Sequence, residues 1–174
     1  MHWMLMPLRR SAEFSGRSRR MEYWMWVLFQ FLIGLGVIVL MMLLGGSALL
    51  SGDPTAMVAV GGLALLIYAL YGILGLVFLI PSLAVAVRRL HDTNRSGWWI
   101  LAPLAPYLLV IVAASMAVSS PDSASIAGMI ALLGGLAALG LWLTLLVFMF
   151  LEGTKGPNQY GPDPKGAATG DVFA

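Results

Sequence analysis

The run Arg88-Arg89-Leu90-His91-Asp92-Thr93-Asn94-Arg95-Ser96-Gly97-Trp98-Trp99 carries the densest chemistry in this chain. A histidine next to an aspartate invites a general-base reading. Neighbouring residues on a helix do not face each other, however, and a base needs an oriented partner and a nucleophile. The only other histidine is His2, and there is no cysteine. A metal centre is therefore not expected, nor any disulfide or thiol nucleophile. The pair points to hydrogen bonding between helices. No catalytic residue, cofactor or metal ligand is assigned.

Arginines suggest a second chemistry. Arg17, Arg20, Arg88, Arg89 and Arg95 lie in two clusters that also hold Glu22 and Asp92. Guanidinium forks suit phosphate and carboxylate alike. Two readings follow. One is a layer of ion pairs and lipid-headgroup contacts that locks helix ends together. The other is a specific site for a phosphate-bearing ligand. The first is favoured, because structural ion pairs are common and anionic phospholipids are natural partners for such a layer. A third polar cluster, Gly156-Pro157-Asn158-Gln159-Tyr160-Gly161-Pro162-Asp163-Pro164, reads as a compact turn. Within these clusters Ser18 is a candidate N-cap for the first long helix, and Thr93, Asn94 or Ser96 for a later one. Gly97 would allow a close approach.

The elements that must position these clusters are plain in the hydropathy. Among 174 residues, 60% are hydrophobic and only 10% charged, and mean hydropathy is +0.89. A soluble domain carries about a quarter charged residues, so the solvent for most of this chain is a bilayer. Apolar runs without acidic or basic residues cover 23–50, 57–87, 98–118 and 126–151. Each exceeds the roughly 20 residues that a helix needs to cross the hydrocarbon core. The expected fold is all-α, a polytopic four-transmembrane-helix bundle. A basic segment (1–22) precedes it, a loop (88–97) joins its second and third spans, and a turn-rich tail (152–174) follows. A cleaved leader is not expected, because the first apolar run is too long for a signal core.

All ten basic residues fall before the first span, in the 88–97 loop or in the tail. The positive-inside rule makes that side, with both termini, cytoplasmic. Tyr23, Trp24 and Trp26 open the first span, and Trp98 and Trp99 the third, as interface anchors. The second run would extend about 46 Å as a helix, against about 30 Å of hydrocarbon. A tilted span to about Ile80 is expected, with Pro81 as a kink or hinge leading to a bent segment. Glycines in the second and fourth spans suggest that these two pack together. No span contains a charged side chain or a histidine, which argues against a proton-coupled pump. Nothing resembles a nucleic-acid module, and the net charge of +2 serves topology and lipid contact instead.

These clusters also carry a family likeness. Phe14, Gly16-Arg17, Arg20 and Tyr23-Trp24, then Pro81, Arg88-Arg89-Leu90-His91-Asp92 and Ser96-Gly97-Trp98, and last Asn158 with Tyr160-Gly161 resemble the pattern of the domain-of-unknown-function 805 family of small bacterial inner-membrane proteins. The likeness runs from about Phe14 to Pro164. Gln159 stands where members often carry a basic residue. The resemblance implies a bacterial inner membrane location and no established activity. The expected function is non-enzymatic: a scaffold, regulatory or envelope-stress protein. Its arginine-rich cytoplasmic layer (Arg17, Arg20, Glu22, Arg88, Arg89, His91, Asp92, Arg95, Asn158, Tyr160) would meet anionic lipid or a partner protein, including a second copy of the chain. The alternatives are a small-solute facilitator or channel, and a lipid-modifying enzyme.

Overall fold

The structure, a computed structural model, describes residues 2–120 and 124–166. Two compact units are formed, one of Met1–Phe14 with Met21–Val85, the other of Ser15–Arg20 with Ala86–Ala174. Every long element among the described residues is helical. Helices α2 (Arg20–Ser51), α3 (Pro54–Asp92), α4 (Leu104–Ser119) and α5 (Ala124–Phe150) follow a short α1 (His2–Arg9). Four helical segments are long and apolar enough to cross a membrane, the third counted with the 3₁₀ turn Gly97–Leu101 before α4. The break at Pro121-Asp122-Ser123 lies outside the described residues.

In the first unit the hinge between α2 and α3 follows from four residues, Ser51-Gly52-Asp53-Pro54. Gly52 has a φ of 65°, a left-handed conformation that glycine adopts without steric cost and that ends a helix. Asp53 then caps α3: its carboxylate accepts from the Thr55 amide at 2.9 Å and the Thr55 hydroxyl at 2.8 Å. Pro54 occupies the first helical position, where a missing N–H costs nothing. Those bonds hold the Asp53 carboxyl below its ordinary pKa.

Helix α3 runs unbroken through Pro81 to Asp92, so the segment past Ile80 continues the same helix. Arg88, Arg89, His91 and Asp92 were expected in a loop; they lie in the closing residues of this helix. Proline removes one donor, and the neighbouring Ser82 supplies other bonds. Its hydroxyl donates to the Phe78 carbonyl at 2.7 Å and accepts from Trp26 Nε1 at 2.9 Å. Trp26 is thus 1% exposed and stacked at 5.6 Å on Phe29. It is a core residue between helices and not the lipid anchor that its place beside Tyr23 and Trp24 suggested. His2 lies in α1.

In the second unit α4 packs on α5 through Gly134, where an added Cβ would come within 3.0 Å of Val110 and 3.1 Å of the Pro106 carbonyl. The fourth-span glycine expected to serve the second span therefore serves the third. Burial is inverted relative to a water-soluble protein. Leu65 is 74% exposed and Val58 77%, whereas Arg88 and Arg89 are fully buried.

Candidate functional site

The buried arginines lead to the end of α3, which closes with a complete Schellman motif. Arg95 N donates to the Leu90 carbonyl at 2.9 Å and Asn94 N to the His91 carbonyl at 3.0 Å. Asn94 takes the left-handed φ of 57° that this motif requires just past the helix end. Thr93 Oγ1 donates to the Leu90 carbonyl at 2.9 Å. Ser96, alone of the three candidate caps, receives the next amide, from Trp98 at 3.4 Å. Gly97 is required by contact, since a Cβ there would lie 2.8 Å from Val87. The HDTNRSG run is therefore mostly a device for turning the chain sharply.

Asp92, on the last turn of α3, is the centre of the site. Its Oδ1 accepts from Arg17 Nε at 3.0 Å and lies 2.9 Å from Nη2 in an ion pair. Its Oδ2 accepts from Arg89 Nη1 at 2.6 Å. Most other donors of Arg17, Arg19, Arg20 and Arg89 go to main-chain carbonyls at and beyond the end of α5. Arg89 Nε donates to Met149 O at 3.3 Å, and its Nη2 donates to Leu151 O. Arg20 Nη1 donates to Phe150 O at 3.2 Å, and its Nη2 pairs with Glu152 at 2.9 Å. Arg17 reaches Thr154 O at 2.5 Å and Gly156 O at 2.6 Å. Arg19 donates to Pro164 O through Nε at 2.7 Å and also through Nη2.

The last carbonyls of a helix have no partners within it and sit at the negative end of its dipole. Guanidinium forks meet both needs, since each offers several donors in one plane. Two charges removed from water require mutual pairing and full hydrogen bonding. Here Asp92 supplies the charge and the chain's own carbonyls supply the remaining acceptors.

The tail is held at the same place. The Asp92 carbonyl accepts from Thr154 N at 2.8 Å. Asn158 Nδ2 donates to the His91 carbonyl at 2.8 Å and to Thr154 Oγ1 at 2.9 Å. Paired backbone bonds of 3.0 Å join Asn158 and Gly161, and Tyr160 N donates to Asn158 Oδ1 at 2.9 Å. This turn lays the Tyr160 ring flat on His91, with centroids 3.9 Å apart and planes 3° apart. His91 Nδ1 meets the Gly16 carbonyl at 3.2 Å. His91 and Asp92 thus engage different partners and form no dyad.

Arg95 stands apart from this cluster, with its guanidinium 3.9 Å above the Phe148 ring and a bond to Thr93 O at 3.2 Å. Trp99 meets Phe148 edge-on at 5.4 Å, whereas Trp98 projects outward at 78% exposure. Arg88 is fully buried, and its carbonyl accepts from Ser18 N at 3.1 Å. The Ser18 hydroxyl has no partner among the described residues, so it does not cap α2 as expected. In the other unit Glu22 is buried in the first turn of α2. Tyr23 and Trp24, half-buried, pack edge to face at 5.3 Å.

Sequence reasoning passed over Gly153. A Cβ on it would lie 2.5 Å from Asp92 Cγ and 2.7 Å from Oδ1, so only glycine lets the segment after α5 pass the carboxylate. The signal was a lone glycine just past a helix end. Among the described residues no group of acidic, histidine or cysteine side chains is placed to hold a metal ion.

A family model described as "Protein of unknown function (DUF805)" matches residues 11–162, which include all of these groups. The chain belongs to the DUF805 family. Inner membrane protein YhaI of Escherichia coli K12 is 33% identical over 165 residues, covering 95% of this chain and 97% of that protein. Inner membrane protein YhaH of the same strain is 36% identical over 169 residues, covering 95% and 98%. Uncharacterized protein YiiR is 29% identical over 160 residues, covering 87% and 85%. No solved structure matches. Together with the four apolar helices, these relatives make the chain a multi-pass integral protein of the bacterial inner membrane, as expected.

Proposed function

We propose that this DUF805 protein works without catalysis, as a membrane scaffold or regulatory protein. Its basic end faces the cytoplasm and meets anionic phospholipid or a partner protein, which includes a second copy of the chain. One observation carries the reading. Arg17 and Arg89, two of the buried arginines that a phosphate ligand would need, are committed to Asp92 and to carbonyls of the chain itself. The arginine layer is an internal fastener first, and contact with lipid or partner falls to the basic groups around it. Separate partners for His91 and Asp92 remove support from a lipid-modifying enzyme. The cavity beside Met41, Gly45, Gly61 and Ala64 has Tyr68 as its one hydroxyl-bearing lining residue, which gives a solute path little support.

Placement of all ten basic residues at one end of a four-span topology supports the orientation. Because the chain has no cysteine, single cysteines at positions 53 and 95 test it directly: 53 should label from outside and 95 only after permeabilisation. For the fastener, Arg89→Ala should lower abundance and folding, read by fluorescence-detected size exclusion. A variant that stays abundant and folded but loses one molecule seen by native mass spectrometry would replace this reading with a dedicated ligand site.

A further inference from the structure

Beneath the clamp the tail folds around a small cavity of about 110 Å³, lined in part by Arg17, Arg19, Glu152, Lys155, Asp163 and Lys165. Its charge is unevenly committed. The Asp92 carboxylate, also on its wall, is taken by Arg17 and Arg89, and Glu152 pairs with Arg20. Asp163 accepts from the Gly156 amide at 3.0 Å and the Lys165 amide at 2.8 Å. Each acidic group on the wall therefore already has donors. The ammonium groups of Lys155 and Lys165 differ: both residues are exposed, Lys155 has no ion-pair or hydrogen-bond partner among the described residues, and Lys165 forms no ion pair there although its charge acts on the nearby Asp163 carboxylate. Six basic side chains (Arg17, Arg19, Arg20, Arg89, Lys155, Lys165) surround three acidic ones (Asp92, Glu152, Asp163).

We propose that this tail cavity binds a phosphate group, with Lys155 and Lys165 as its principal charged contacts. The chemistry is that of a phosphate anion, free or esterified: compact enough for the cavity, rich in acceptor oxygens, and matched to two flexible ammonium groups. Such a group comes either from an anionic lipid headgroup or from free phosphate. The proposal deepens the lipid-contact reading above and moves the contact from the arginines to the two tail lysines.

The test uses the full chain in phosphatidylcholine nanodiscs, titrated in one arm with short-chain phosphatidylglycerol and in the other with inorganic phosphate. Binding is read by ³¹P NMR and by native mass spectrometry. At about 1 kcal/mol for each lysine near a charged headgroup, K155Q/K165Q should weaken binding by about 30-fold. Lysine-dependent binding of phosphatidylglycerol that inorganic phosphate does not displace identifies the headgroup as the source. Lysine-dependent binding of inorganic phosphate identifies the free anion. The proposal is overturned if wild type binds neither probe, or if K155Q/K165Q binds as wild type does. The double variant leaves the Arg17–Asp92–Arg89 clamp intact, so its failure and the failure of Arg89→Ala to destabilise the fold are separate results.

Discussion

Asp92→Ala tests the centre of the structure. The Asp92 side chain is 7% exposed, and those of its partners Arg17 and Arg89 are 1% and 0% exposed. Removing the carboxylate leaves two guanidiniums out of water with no counter-charge, while their carbonyl partners still hold them in place. Breaking a buried pair in this way costs about 3–5 kcal/mol, or roughly 100-fold or more in the ratio of folded to unfolded protein. The Arg20–Glu152 pair is the internal control: its side chains are 42% and 67% exposed. Loss of such a pair costs about 1 kcal/mol or less. Arg20→Ala gives up the Phe150 carbonyl bond as well, yet it should remain far milder than Asp92→Ala. The assay is reversible unfolding in mixed micelles with increasing SDS, followed by tryptophan fluorescence. Limited proteolysis of the tail serves as a second readout, because Arg17 also holds Thr154 and Gly156. If Asp92→Ala unfolds at the wild-type SDS fraction and its tail stays protected, the clamp is not what holds this end of the protein together. Equal losses from Asp92→Ala and Arg20→Ala would refute the argument from burial.

Gly153→Ala should destabilise by about 2 kcal/mol through overpacking against the Asp92 carboxylate and speed tail proteolysis, whereas Gly135→Ala, with nothing within 4 Å of its added Cβ, should do neither. Trp26→Phe strands the Ser82 hydroxyl's tryptophan bond and should cost about 1 kcal/mol in the same unfolding assay; Trp24→Phe should cost less. Hydrogen bonds from the amides of Lys165 and Gly156 hold the Asp163 carboxyl below its ordinary pKa. Its contribution to the tail fold is therefore fully present above the unfolded value of about 3.9 and is lost as pH falls through the lower folded value. Carboxyl NMR should place the Asp163 midpoint below that of an unstructured aspartate, and a midpoint at or above it would contradict the turn geometry.

The membrane spans were legible because hydropathy over some twenty residues averages out local detail. The arginine-rich end was legible because ten basic residues avoided two of the three connections. Roles within that end were harder to read. Asn94 and Ser96 act through φ and a single amide bond, and three adjacent candidates could not be ranked until the helix end was known. Asp92 was expected to pair with an arginine, but two converge on it, and that depends on the path of the tail. Trp26 was itself expected to be an anchor, and only Ser82, on the next helix and 56 positions on, decides that it turns inward. Gly153 was missed because a requirement for empty space has no compositional mark. Helix α1 was missed because eight residues with an internal proline lie below the length at which propensity argues for a helix.

Arg17 and the carbonyls of Thr154 and Gly156 lie 137 and 139 positions apart. The amino-terminal half of this fastener therefore leaves the ribosome long before its partners exist. During synthesis those guanidiniums must wait in water or among headgroups. They can be desolvated only after the fourth span has been inserted and the tail has returned to the same side of the membrane as Arg17. A chain inserted with an odd number of crossings would bring its tail to the opposite leaflet and leave the arginines unmated. Closure of the clamp thus requires that the two ends of the chain share one side of the membrane.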